Sequence, residues 1–309
     1  VIPLPLKSSS IEMPNNRSQA HQRLMWQRKK MVRDAGYHKD YVTFVNNLID
    51  KGYCEKAPSL SPKGKTWYLP HHGVYNPNKP GKIRVVYDCG AKFNGISLND
   101  CLLQGPDLMN NLFGVLTRFR CGTVAFVGDL EAMFYQVRVP PLQRSFLRFL
   151  WWPEGDLDKE VMEYQMCVHI FGAKSSPSVA NFVVRRIGSL ANDKLVSETL
   201  RDNFYVDDCL KSVQSPAIAE NLITNLRHEF AGNGFHLTKF VSNDRNVIAS
   251  LPPAERAADI RNVDIFNVER FPTARALGVV WNIETDTFGF KVDIRDRPFT
   301  RRRLFAVTD

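Results

Sequence analysis

The period of hydrophobic and polar positions changes several times along the chain. TVAFVGDLEAMFYQVRV (123–139) opens as an apolar run of strand length and meets a carboxylate, Asp129, at its end. SFLRFLWWP (145–153) and VMEYQMCVHIF (161–171) are rich in aromatic and β-branched residues, and the polar EGDLDK between them predicts a hairpin. In GAKSSPSVANFVVRRIGSLANDK the spacing turns helical, with Val179, Val183 and Ile187 four apart. Ser176 reads as its N-cap and Pro177 as its first helical residue. FYVDDCLKSV then predicts strand, turn and strand. The Ser-Pro start repeats at Ser215-Pro216, followed by a stripe of Ile218, Leu222, Leu226 and Phe230 that Gly232 or Gly234 ends. FHLTKFVS is strand-like, and ALGVVWNIETDTFGFKVDI (276–294) predicts a further hairpin.

Upstream, NRSQAHQRLMWQRKKMVRD fits a basic helix with few apolar residues. YHKDYVTFVNNLIDKGYCEK places Tyr41, Phe44, Leu48 and Ile49 at helical spacing, and KAPSLSPKGK breaks the pattern. TWYLPHHGVY and KIRVVYD read as strands joined by the turn NPNKPG. With the 145–171 hairpin set aside as an insertion, the central order is a split βαβ pattern. Helices then lie on one face of an antiparallel sheet, and the fold class is α+β.

Length and composition add bounds. The chain has 309 residues, 44% hydrophobic and 24% charged, as ordinary globular proteins do. No apolar run is long enough to cross a membrane. VIPLPLKSSS is not a signal peptide, and without an initiator Met the chain is expected to be a piece of something longer. The formal charge is +9, with basic clusters at Arg23, Arg28, Lys29, Lys30 and Arg33 and at Arg295, Arg297, Arg301, Arg302 and Arg303. Such clusters are either solvated surface or sites that attract phosphate backbones. The six cysteines, 54, 89, 101, 121, 167 and 209, form no CxxC and read as buried free thiols in a reducing compartment. Neither they nor the pair His71-His72 have zinc-ligand spacing.

Asp207 and Asp208 stand side by side in an apolar stretch, where they repel and cost free energy unless a positive charge compensates. A surface turn is one explanation and a metal site the other. In the split βαβ arrangement Asp129 would meet the pair at one edge of the sheet. Three carboxylates without nitrogen or thiolate suit Mg²⁺ or Mn²⁺, and two such ions can clamp an in-line displacement at phosphorus.

YLPHHGVYNP, KIRVVYD, DLEAMFYQV, FGAKSSP, YVDD, GFHLTKFVSN and LGVVW follow one another in the order seen in reverse transcriptases. In this order and spacing the chain resembles the reverse transcriptase region of BEL/Pao retrotransposon polyproteins over nearly its whole length, VIPLPLK and LMWQRKKM included. The resemblance implies a right-hand polymerase fold. Residues 1–60 would be a basic helical extension and 61–122 the fingers. Residues 123–283 would form the palm, with a finger hairpin inserted at about 140–171, and 284–309 would begin a truncated thumb connection.

The resemblance also implies roles. Asp129, Asp207 and Asp208 would be metal carboxylates with the Leu130 carbonyl as a further ligand, and Asp207 the stronger of the adjacent pair. Backbone amides near Ala132 and Met133 would hold the triphosphate, and Phe134 would be the sugar gate, a core phenylalanine being the alternative. Arg84 matches the basic finger residue on the triphosphate, with Lys82 as a helper; exposed strand cations are the alternative. The second finger lysine of the family has no counterpart, although His71-His72 stand near that point. Gly172 to Pro177 would support template and nucleotide, and Tyr205 and Val206 would flank them. Phe171 stands where retroviral enzymes carry a glutamine, a departure usual for BEL/Pao-like sequences that bears on one sugar contact. Lys239 matches a proposed general acid or is a solvated lysine. Leu277, Gly278 and Trp281 match a primer grip or simply pack.

The implied activity is RNA- and DNA-directed DNA polymerisation with two Mg²⁺ ions or Mn²⁺, in a cytoplasmic retroelement particle or the nucleus. Partners would be primed RNA or DNA templates, dNTPs, and protease, RNase H and integrase modules outside this chain. An RNA-dependent RNA polymerase shares the paired aspartates, but Phe134 opposes it by filling the 2′-OH space. An inactive nucleic-acid-binding relic is a third reading. No DTG or DSG triplet occurs, so an aspartic protease is absent from this sequence.

Overall fold

The structure is a computed structural model, described here for residues 1–60, 62–76, 79–267, 273–277 and 279–289. The elements run α1 (Arg17–Arg33), α2 (Ala35–Asp50), β1 (Cys54–Lys56), β2 (His71–Asn76), β3 (Lys79–Tyr87), α3 (Leu98–Cys101), α4 (Leu112–Arg118), β4 (Val124–Leu130), β5 (Arg148–Trp151) and β6 (Met162–Met166). They continue with α5 (Ser176–Leu190), α6 (Lys194–Asp202), β7 (Phe204–Tyr205), β8 (Asp208–Val213), α7 (Pro216–Gly232), β9 (Leu237–Ser242), α8 (Arg245–Ala249), β10 (Ala274–Ala276), β11 (Val279–Asn282) and β12 (Thr287–Gly289). A short 3-10 turn, Met133–Gln136, follows β4.

The central antiparallel sheet has strand order β7-β8-β4-β9. Its middle strand β4 is apolar because both faces are covered: Val124, Ala125, Phe126 and Leu130 are all buried. With α5, α6 and α7 it forms one hydrophobic core, in which Ala180, Val184, Leu222, Leu226 and Phe230 meet Phe126, Leu210 and Phe240. The α+β expectation and the split βαβ order hold here. The packed stripes differ in detail from the expected spacing. Ile218 lies outside the stripe and is exposed, while Ala219 and Ile223 take the buried places. On α5 the true N-cap position is Ser175, without a side-chain bond; the Ser176 hydroxyl instead donates to the Ile170 carbonyl at 2.7 Å. The second Ser-Pro start is as expected, with Ser215 Oγ accepting from the Ile218 amide.

A second core is built by the rest of the chain. It joins α1, α2, β2, β3 and the sheet β1-β6-β5. Residues 1–60 contribute to it: Leu4 and Met13 are buried, and Asn16 both donates to the Tyr68 carbonyl and accepts from its amide. On α2 the buried residues are Tyr37, Tyr41, Val45 and Leu48; Phe44 is half-buried and Ile49 exposed. The 145–171 hairpin forms as β5 and β6, and β1 completes its sheet. Among the cysteines Cys121 is the exception to burial. No described helix is long and apolar enough to cross a membrane.

The two cores meet at the 3-10 turn after β4. Phe134 packs into the first core and its neighbour Tyr135 into the second. The 172–175 loop leads across the same seam, from Ala173 in the second core to Val179 of α5 in the first.

Candidate active site

Strand register brings the expected carboxylates together. Asp129, on β4, is directly opposite Asp208, the first residue of β8. The Leu130 amide donates to the Asp207 carbonyl at 2.8 Å, which fastens the turn between β7 and β8 to the end of β4. Val206, the first turn residue, has φ +55°. A β-branched residue in the left-handed region is uncommon and strained. Tyr205 and Val206 are half-buried, and Val206 opens onto a groove shared with Leu108, Lys174 and Asn181.

Burial raises the Asp207 carboxyl above the usual range; Asp129 adds to this, while Lys239 and Arg84 oppose it. Burial also pushes Asp208 up to about 7, helped by Asp207 and Asp129 and opposed by Lys239. Both shifts have the cause expected when carboxylates share a partly desolvated site. One compensating cation is Lys239, whose Nζ donates to Asp129 Oδ2 at 2.5 Å. The Lys239 backbone, at φ +57°, is also left-handed.

All donors here are hard oxygens, and the excess negative charge is only partly met by Lys239. By donor type and charge the set suits a divalent hard cation. Among the described residues no group of three or more His, Cys, Asp or Glu side chains is placed so that it could hold a metal ion by itself. Mutual repulsion of like charges opposes such a placement by the protein alone.

A second constellation borders the acids. Phe134 is 7% exposed, so the core-phenylalanine description applies to most of its ring. Its edge meets Phe171, with ring centroids 4.5 Å apart. Phe171 also touches Tyr135, and the Arg84 guanidinium sits 5.7 Å from its centroid. Arg84 and Lys82 alternate with buried Ile83 and Val85 on β3 and line an open groove of ≈ 480 Å³. Ala132, before the 3-10 turn, has φ +50°, and Met133 is buried. The first amides of such a turn lack an internal acceptor. Gly172 has φ +100°, its carbonyl accepts from Asn99 Nδ2, and a Cβ there would stand 2.5 Å from the Tyr87 carbonyl oxygen.

Other candidates lie apart from this centre. Trp281 is buried against Phe119 and donates to Asp286 Oδ1. Leu277 is half-buried at φ +51°, and Gly278 lies outside the described residues. His71 is a core residue held by Tyr41 and the Leu150 carbonyl, whereas His72 is exposed. Sequence reasoning missed the cluster beside the acids in which His236 bridges Glu131 and Glu255. Its members come from separate elements, so no local spacing marks it.

No family model matches the chain, and no curated protein matches it in sequence. Solved structures do match. A foamy viral protease–reverse transcriptase dRH in complex with double-stranded DNA superposes with a TM-score of 0.61 at 14% identity, over 89% of this chain and 39% of that one. The fold is reverse transcriptase-like. A foamy viral protease–reverse transcriptase in complex with double-stranded DNA gives 0.59 at 14% identity, covering 89% and 47% of the two chains. One in complex with an RNA/DNA hybrid gives 0.55 at 15%, covering 85% and 29%. This chain thus spans less than half the length of these reverse transcriptase structures.

Proposed function

We propose that the protein is the polymerase region of a BEL/Pao-type reverse transcriptase, an RNA- and DNA-directed DNA polymerase that is part of a retrotransposon polyprotein. The observation that carries the reading is the pairing of Asp129 with Asp208 while Leu130 holds the Asp207 carbonyl. The central sheet with α5–α7 would be the palm, and the unit built on β2, β3, β5 and β6 the fingers. The foamy viral neighbours are complexes with duplex DNA or a hybrid, and we carry that partner class to this chain.

Asp129, Asp207, Asp208 and the Leu130 carbonyl would hold two Mg²⁺ ions, or Mn²⁺. Bound there, the ions would supply activation of the primer 3′-hydroxyl and charge neutralisation at the departing pyrophosphate. The chain's own residues do the rest. Arg84 grips triphosphate oxygens with its planar fork, Lys82 assisting. Amides near Ala132 and Met133 orient the phosphates. Phe134, buttressed by Phe171, fills the space of a ribose 2′-hydroxyl, which disfavours the RNA polymerase reading. Lys239 Nζ leaves Asp129 and gives a proton to the leaving group.

The test is incorporation of dNTPs onto a DNA primer annealed to an RNA template, with Mg²⁺ or Mn²⁺. Incorporation supports the reading; binding of the primed template without incorporation would support the inactive-relic alternative.

A further inference from the structure

Helix α1 carries six cationic residues in seventeen and no acidic one. Arg17 and Arg28 are paired, with Glu163 and Asp158. No acidic side chain among the described residues pairs with Arg23 or Lys29, and both are exposed. Between them Trp26 is 53% exposed, although the other four tryptophans of the chain are buried. The Arg23 guanidinium lies 5.5 Å from the Trp26 ring centroid. Trp26 borders an open groove of ≈ 670 Å³ with His21, Gln22, Met25, Lys29 and Phe93.

This groove is tied to the candidate active site by one chain of contacts. Gln19 on α1 donates to the Lys92 carbonyl, which precedes Phe93. The same loop leads to Asn99, which donates to the Gly172 carbonyl and accepts from the Lys174 amide. An aromatic ring flanked by unpaired cations is the makeup of a single-strand platform, where a base stacks on the ring and phosphates meet the charges.

We propose that the α1 face around Trp26 takes the unpaired part of a template strand, one base stacking on Trp26 and the backbone running past Arg23, Lys29 and Lys92. The template role rests on the polymerase reading above; the single-strand site does not.

The experiment measures binding of the full chain to a labelled duplex with a single-stranded 5′ extension and to a blunt duplex, by anisotropy. Trp26→Ala is expected to bind the extended duplex about tenfold more weakly and the blunt duplex as the parent does. Single-stranded oligothymidylate is expected to quench the exposed tryptophan emission of the parent, and of Asp207→Asn equally. Unchanged affinity of Trp26→Ala for the extended duplex would overturn the site. So would emission indifferent to the oligonucleotide, as expected of a protein-docking face. If the site passes and dNTP incorporation is absent, the single-strand site stands and the polymerase reading falls.

Discussion

Lys239 Nζ and Asp129 Oδ2 are 2.5 Å apart at the end of the central sheet. The lysine side chain is 52% exposed and the carboxylate 27%. Such an exposed pair contributes less than about 1 kcal/mol to folding. Its importance is that this lysine holds the residue expected to bind a cation. Replacing Lys239 with Met should leave the urea midpoint almost unchanged. It should tighten Mn²⁺ binding in calorimetry, since the competing charge is gone. Incorporation should nevertheless slow by roughly 100-fold if the ammonium is the proton donor. Full activity in Lys239→Met would remove that role.

The Phe134–Phe171 contact predicts how sugars are selected. Phe134→Val should raise the ratio of ribonucleotide to deoxynucleotide incorporation by on the order of tenfold or more, because the ring no longer fills the 2′-hydroxyl space. Phe171→Ala should produce part of the same change and raise the dNTP KM as well, since the ring also abuts Arg84. An unaltered sugar ratio in both variants would show that the ring pair only packs.

Gly172 and Gly95 both have left-handed backbone, at φ +100° and +80°. Only Gly172 is crowded, by the Tyr87 carbonyl oxygen; nothing stands within 4 Å of a Cβ on Gly95. Gly95→Ala should cost about 1 kcal/mol of stability and Gly172→Ala more than about 2. Equal denaturation midpoints for the two variants would contradict this account of the loop.

His71 sets a pH dependence of stability. Burial lowers its pKa to about 4, the Leu150 carbonyl opposing and His72 adding to the shift. The Tyr41 hydroxyl and the Leu150 carbonyl then fit a neutral ring with its proton on Nε2. Between pH 4 and about 6.5 the unfolded chain binds the extra proton, so stability falls as pH falls, by up to about 3 kcal/mol. Asp208 has the opposite sign, because its raised pKa makes the folded chain bind more protons and stability falls as pH rises towards 7. The comparison is therefore between parent and His71→Asn: the variant should lack the loss between pH 6.5 and 4. A parallel pH profile would refute the assignment.

Much of the sheet and its acids is legible in the sequence. The apolar run ending at Asp129 and the apolar stretch around Asp207-Asp208 are long enough to mark strands, and those strands pair. The short elements are not legible. β1 has three residues and exists because its tertiary partner β6 holds it; α3 has four, too few to show a helical period, and is held by a local capping box between Ser97 and Asp100. Ser176 looked like an N-cap, yet its hydroxyl is drawn to Ile170, a partner visible only once the loop is folded. Phe171 reads as a departure from the glutamine of retroviral enzymes, but its contact with Arg84 comes from β3, far away in sequence.

The central claim is that three carboxylates act together at the end of β4. The most direct measurement compares primer extension by the parent, Asp129→Asn and Asp207→Asn, with primed-template affinity measured alongside. The account predicts that both variants bind the primed template about as well as the parent and lose incorporation by at least about 100-fold. Incorporation by Asp207→Asn equal to that of the parent, at equal affinity, would contradict it.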